Sequence, residues 1–164
     1  MTWGHPDWGG DSSSVQDQLR NVQQIQASQQ AFAAILSDGS IVTWGHQRYG
    51  GDSSAVQAQL RNVQQIQASQ QAFAAILSDG SVVTWGCEAY GGDSSEVQAQ
   101  LRNVQKIQAS EGAFYAILWD GSVVTWGDPT HGGDRRAVEE HFRSAELQEA
   151  QQKKRTMPSP NPKP

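Results

Sequence analysis

The sequence predicts a mainly β chain assembled from tandem repeats. Three observations carry that expectation. Thr-Trp-Gly begins at Thr2, Thr43, Thr84 and Thr125, and Gly-Gly-Asp begins at Gly9, Gly50, Gly91 and Gly132, so one unit recurs about every 41 residues. Each full unit carries an Asp-Gly pair between two apolar runs, at Asp38, Asp79 and Asp120. Such a pair is a strong short-range signal for a β-hairpin. The second run of each hairpin, Ser40-Ile41-Val42-Thr43-Trp44 in the first unit, is β-branched and aromatic, as a strand prefers.

Each element can be justified in chain order. In Gly9-Gly10-Asp11 the glycines permit a tight turn and the aspartate caps readily. Ser13-x-x-Gln16, Ser54-x-x-Gln57 and Ser95-x-x-Gln98 fit capping boxes and predict short helices. Val15 and Leu19 would share one helix face, and Arg20-Asn21 is a suitable end because asparagine tolerates the left-handed conformation. Residues 21–28 leave two readings open. Val15, Leu19, Val22 and Ile25 keep helical spacing, whereas Val22 and Ile25 do not alternate as a simple strand would. Residues 31–36 are apolar throughout, the pattern of a strand buried on both faces. A two-residue type I′ turn at Asp38-Gly39 would fix the register of the strand pair.

Beyond Asp134 the composition shifts to Glu, Ala, Gln, Lys and Arg, which predicts a C-terminal helix over 132–155. Val138, Phe142 and Ala145 would lay a narrow stripe on the last repeat, and Lys153-Lys154-Arg155 would complement the helix dipole. Residues 156–164, with Pro158, Pro160, Pro162 and Pro164, predict a disordered or polyproline-like tail. The repeat region is then 1–131, made of a partial repeat 1–8 and repeats 9–49, 50–90 and 91–131.

Composition narrows function. A net charge of −5 over 164 residues argues against non-specific nucleic-acid binding. The one cysteine, Cys87, excludes an internal disulfide, which fits a reducing compartment. The start lacks a secretory leader, and no apolar run reaches the roughly 18–20 residues of a membrane span. A soluble chain of the cytoplasm or nucleus is expected, with no membrane partner.

On these residues the repeat resembles that of the regulator of chromosome condensation, which also occurs in HECT-type ubiquitin ligases. Val22, Ile25, Ile35, Asp38, Gly39, Val42, Trp44, Gly45 and Gly50 fall at the family's spacings, and two further copies follow. The pattern departs from the family's at Ser28, Ser69 and Ser110 (a glycine there) and at Ala31, Ala72 and Ala113 (a histidine). A short helix-like segment also stands where the family has a fourth strand. The resemblance implies an incomplete β-propeller-like arc of three thin blade-like strand sets with short interleaved helices. A compact threefold β fold, or a helix-strand solenoid, is the alternative. It further implies a non-catalytic protein-interaction module, or a piece of a larger ubiquitin ligase or nucleotide-exchange factor.

No catalytic grouping and no cofactor are expected. His5, His46, Cys87 and Asp128 share one repeat position just after Trp-Gly and are all metal-ligand types. The simpler reading is a variable loop position, because equivalent loops of successive repeats lie too far apart for metal bonds of about 2.0–2.3 Å. Trp8, Tyr49 and Tyr90 also share a position, and Trp119 replaces Ser37 and Ser78; these four are the candidate contact residues for a protein partner. Open blade faces at the ends of an arc would also invite self-association.

Overall fold

The computed structural model describes residues 1–134 and, beyond them, residues 136, 143–144, 147–148 and 151–152. Nine strands form three separate three-stranded antiparallel sheets among the described residues. Blade 1 holds β1 (Val22–Ala27), β2 (Ala31–Leu36) and β3 (Ile41–Gly45). Blade 2 holds β4 (Val63–Ala68), β5 (Ala72–Leu77) and β6 (Val82–Gly86). Blade 3 holds β7 (Val104–Ala109), β8 (Ala113–Leu118) and β9 (Val123–Gly127). The middle strand of each blade is its second, and no sheet closes on another. This is the expected incomplete propeller-like arc, and it excludes the helix-strand solenoid.

Residues 22–27 are a strand, and its register explains the missing alternation. Val22 pairs with Leu36 and Gln24 with Ile35, so one extra residue is accommodated between them. A bulge of this kind returns Val22 and Ile25 to the same face. Asn21, Asn62 and Asn103 lead into these strands with φ of 54°, 52° and 54°, the left-handed conformation expected of them.

The hairpin differs from the expected two-residue turn. Ile35 pairs with Ile41, Leu36 N–H donates to Ser40 O, and Gly39 N–H donates to Leu36 O. The loop is therefore Ser37-Asp38-Gly39, and only the glycine has positive φ, at 79°. Asp38 instead accepts from the Ser40 N–H and hydroxyl at 2.9 and 2.6 Å. This three-residue form spares aspartate the left-handed strain that a type I′ turn would impose.

The expected capping boxes are displaced by one residue. Ser54 N–H is held by Asp52, and Ser53 Oγ donates to Gln57 Oε1 at 2.9 Å. Ser12 with Gln16 and Ser94 with Gln98 make the same pair. Residues 13–18 form a 3₁₀ turn, Ser13–Val15, and a further turn, not an α-helix; their counterparts 54–59 and 95–100 are turns. Most of the expected helix 132–155 and all of the tail 156–164 lie outside the described residues. The described positions within 136–152 are helical, whereas 132–134 close the last repeat's turn.

Packing is directional. Each blade has a front face with the Phe-Trp pair and a back face of alanine and isoleucine. The back of blade 1 (Ala31, Ala33, Ile35, Ile41) packs on the front of blade 2 (Val63, Ile66, Phe73, Ala75, Val83, Trp85), with Leu60 wedged into the same cluster. Blades 2 and 3 repeat this interface with Leu101 as the wedge. The front of blade 1 meets the entry segment, through Val15, Leu19 and the Gly9 carbonyl, where the other blades meet a preceding blade. Ile25 is accordingly 50% exposed, whereas Ile66 and Ile107 are 0% exposed.

Candidate functional site

The strand ends place two sets of loops at opposite ends of each blade. β3, β6 and β9 finish in Trp-Gly and run into three-residue 3₁₀ turns, Gln47–Tyr49, Glu88–Tyr90 and Pro129–His131; Pro6–Trp8 is the same element in the entry. The turns Gln47–Tyr49 and Glu88–Tyr90 are each tied down twice, the Pro6–Trp8 turn by backbone bonds alone. The N–H groups of Gly10, Gly51 and Gly92 donate back to the carbonyls of His5, His46 and Cys87. Ser28 and Ser69 donate their hydroxyls to the carbonyls of Tyr49 and Tyr90, at 2.9 and 2.8 Å. Serine at these positions therefore anchors the loop that carries the aromatic side chain.

Trp8, Tyr49 and Tyr90 end equivalent turns, one per repeat, with Trp8 49% exposed, the tyrosines half-buried, and Tyr90 packed against the core cluster between blades 2 and 3. Trp8 stacks on His5 at 4.6 Å between ring centroids, and Tyr49 on His46 at 4.4 Å. Open grooves run between successive loops. One is lined by Trp8, Gln30, Trp44, His46, Arg48 and Asp52; the next by Tyr49, Val56, Gln71, Trp85, Cys87 and Glu88. Aromatic rings beside mixed polar groups on a rigid scaffold suit a peptide or protein surface, because a stiff side chain loses little entropy on contact.

His5, His46, Cys87 and Asp128 are distributed one per loop, each extended at the residue before its 3₁₀ turn. No three ligand-type side chains converge among the described residues. The histidines serve as stacking partners. Asp128 instead binds Thr130 N–H and Oγ1 at 2.8 and 2.7 Å. Those bonds, chiefly the hydroxyl's, hold its carboxyl below the usual range, with His131 adding to the effect.

Trp119 does not join these aromatics. It sits in the hairpin loop at the other end of blade 3, is 72% exposed, and borders a groove with Gln24, Gln65, Asp79, Asn103 and Gln105. One residue of interest was passed over in the sequence. Tyr115 occupies the place of Ala33 and Ala74 and is 39% exposed on the back of blade 3. Its signal was available, as a departure from two otherwise matching copies.

The arc is similar to yeast RCC1 (Prp20), solved with Kap60 bound to it, with 20% identity and a TM-score of 0.50 over 65% of this chain and 29% of that one. It is likewise similar to human WBSCR16, with 20% identity and a TM-score of 0.51 over 70% of this chain and 37% of that one. The fold is that of the RCC1 propeller repeat. The chain spans 29% and 37% of the lengths of these two RCC1-fold neighbours. No protein-family model and no curated protein matches the sequence. Among the described residues no helix is long and apolar enough to cross a membrane.

Proposed function

We propose that this chain is a non-catalytic protein-interaction module whose RCC1-type blades present aromatic side chains on equivalent turns to a protein partner. The observation that carries this reading is the shared position of these aromatics on equivalent turns. Trp8, Tyr49 and Tyr90 are set at one repeat position, each on a loop closed by its own backbone bonds, with a groove between neighbours. A propeller of this fold is bound by another protein in the yeast complex. The acidic balance of the chain, net −5, disfavours nucleic acid as the partner. The test is differential capture: immobilised wild type against a Trp8→Ala, Tyr49→Ala, Tyr90→Ala variant. A partner retained by the first and lost by the second, then reproduced with both proteins purified, is the expected result. Equal retention on both would end the assignment.

A second reading rests on the front of blade 1, where Ile25 is half exposed although its counterparts are fully covered by a preceding blade. Such a face suits the repeat region of a larger protein, of the kind found in HECT-type ubiquitin ligases or exchange factors. Denaturing electrophoresis of the native polypeptide with an antibody to the repeat decides it. A band near 17.9 kDa rejects this second reading.

A further inference from the structure

We propose that the groove between the hairpin loops of blades 2 and 3 is a glycan-binding site, in which the Trp119 indole stacks on the apolar face of a neutral sugar ring and amide side chains bond its hydroxyls. The site lies at the opposite end of the blades from Trp8, Tyr49 and Tyr90.

The groove has a volume of about 560 Å³, in the range of small-ligand sites. Three blades build it. Blade 1 gives Gln24, blade 2 gives Gln65 and the loop with Asp79, and blade 3 gives Asn103, Gln105 and Trp119. Gln24 and Gln65 stand at one register, opposite Ile35 and Ile76 just after the bulge. The loops are fixed by backbone bonds. Ser78 N–H donates to the Asn62 carbonyl at 2.9 Å, and Trp119 N–H to the Asn103 carbonyl at 3.0 Å. Val104 N–H donates to the Gly80 carbonyl at 2.9 Å, which ties the loop of blade 2 to blade 3. Groups held in place beforehand lose little freedom when a ligand arrives.

The lining selects the class of ligand. Among the described residues no lysine or arginine lines the groove, which disfavours a phosphate or carboxylate ligand. Of its apolar members, Ile76 and Val104 are 4% and 3% exposed and Leu77 is half-buried. No apolar socket therefore opens for the anchoring side chain that a protein partner would insert. What remains is polar and, apart from Asp79, uncharged, beside one indole. A carboxamide both donates and accepts, as a sugar hydroxyl does. Asp79 takes both Ser81 bonds on Oδ1, at 2.9 and 2.6 Å, which leaves Oδ2 as an acceptor. Trp119 is 72% exposed and stands where the other hairpins have Ser37 and Ser78. A flat apolar ring beside planar polar groups matches a pyranose, whose C–H face is apolar and whose rim carries hydroxyls.

The full chain is titrated with cellohexaose, chitohexaose, laminarihexaose and mannohexaose, followed by tryptophan fluorescence and calorimetry. At least one should bind saturably. Trp119→Ala should weaken that binding at least about tenfold, and Trp119→Phe, which keeps an aromatic platform, by less. Gln64→Ala combined with Gln105→Ala, both exposed groove residues, should weaken it about threefold or more. Tyr115→Ala, at another exposed aromatic of blade 3, should leave it unchanged. Absence of binding by all four sugars overturns the proposal. So does binding that survives Trp119→Ala undiminished, and so does adenosine binding as tightly as the sugar, which would mark an unselective stacking surface.

Discussion

Trp85 Nε1 donates to the carbonyl of Gly50, 35 residues earlier, at 3.1 Å in a buried setting. Trp44 with Gly9 and Trp126 with Gly91 repeat the bond. It ties the last strand of each blade to the loop that ends the preceding repeat, while the indole stacks on its own blade's phenylalanine, Phe73 for Trp85, at 5.3 Å. Trp85→Phe keeps most of the apolar area but leaves a buried carbonyl without a donor. The expected loss is about 1–3 kcal/mol, read as a lower urea midpoint. A change within about 0.5 kcal/mol would mean that water replaces the indole.

Gly50 supports the same junction from its other side. It has φ of 101°, and a Cβ on it would overlap the Phe73 ring. Gly132 has nearly the same φ, 99°, and a Cβ there would meet open space. Gly132→Ala should therefore cost only the left-handed strain, about 1–2 kcal/mol. Gly50→Ala adds displacement of a fully buried ring and should cost clearly more. Equal costs by equilibrium unfolding would show that Phe73 moves aside freely.

Much of this architecture was legible in the sequence because identical copies repeat the same local chemistry. The hairpin ends, the left-handed asparagines and the strand with Trp-Gly all follow from residue type and spacing. The three-residue hairpin loop was not legible, since Asp38-Gly39 suits either loop length and the choice lies in which residue carries positive φ. The strand at 22–27 was hidden by its bulge, which converts a spacing of three into one face. The grouping of Trp8, Tyr49 and Tyr90 was legible as a shared repeat position. Its separation from Trp119 was not, because that depends on which end of the sheet each loop occupies.

The turn aspartates predict the acid response. Asp38, Asp79 and Asp120 are each held below 3.8, first by a serine hydroxyl and then by that serine's N–H. Asp11, Asp52 and Asp93 are lowered by analogous bonds to Ser13, Ser54 and Ser95. A depressed folded value means that the unfolded chain binds more protons near pH 4, so stability rises with pH there. The contribution is present above the unfolded value and is lost as pH falls through the lower, folded one. The urea midpoint should drop as the pH falls below about 5, modestly per site because these groups are exposed. Carboxylate NMR titration of Asp79 checks the cause; a midpoint at or above 3.8 would contradict it.

Ile25 and Ile66 provide the sharpest test of how the arc stands in solution. They occupy the same strand position, each pairing across to an alanine, Ala34 and Ala75. Ile66 is 0% exposed beneath the back of blade 1, while Ile25 is 50% exposed with no blade before it. Truncating a fully buried isoleucine removes its transfer free energy and leaves a cavity, so Ile66→Ala should cost about 2–5 kcal/mol. Ile25→Ala loses only part of that burial and leaves an open notch, so it should cost under about 1 kcal/mol. Urea midpoints of the two variants, taken with sedimentation over a range of concentrations, read the difference. If Ile25→Ala costs as much as Ile66→Ala, the front of blade 1 is covered in solution. If that cost also falls on dilution, what covers the face is a second copy of the chain.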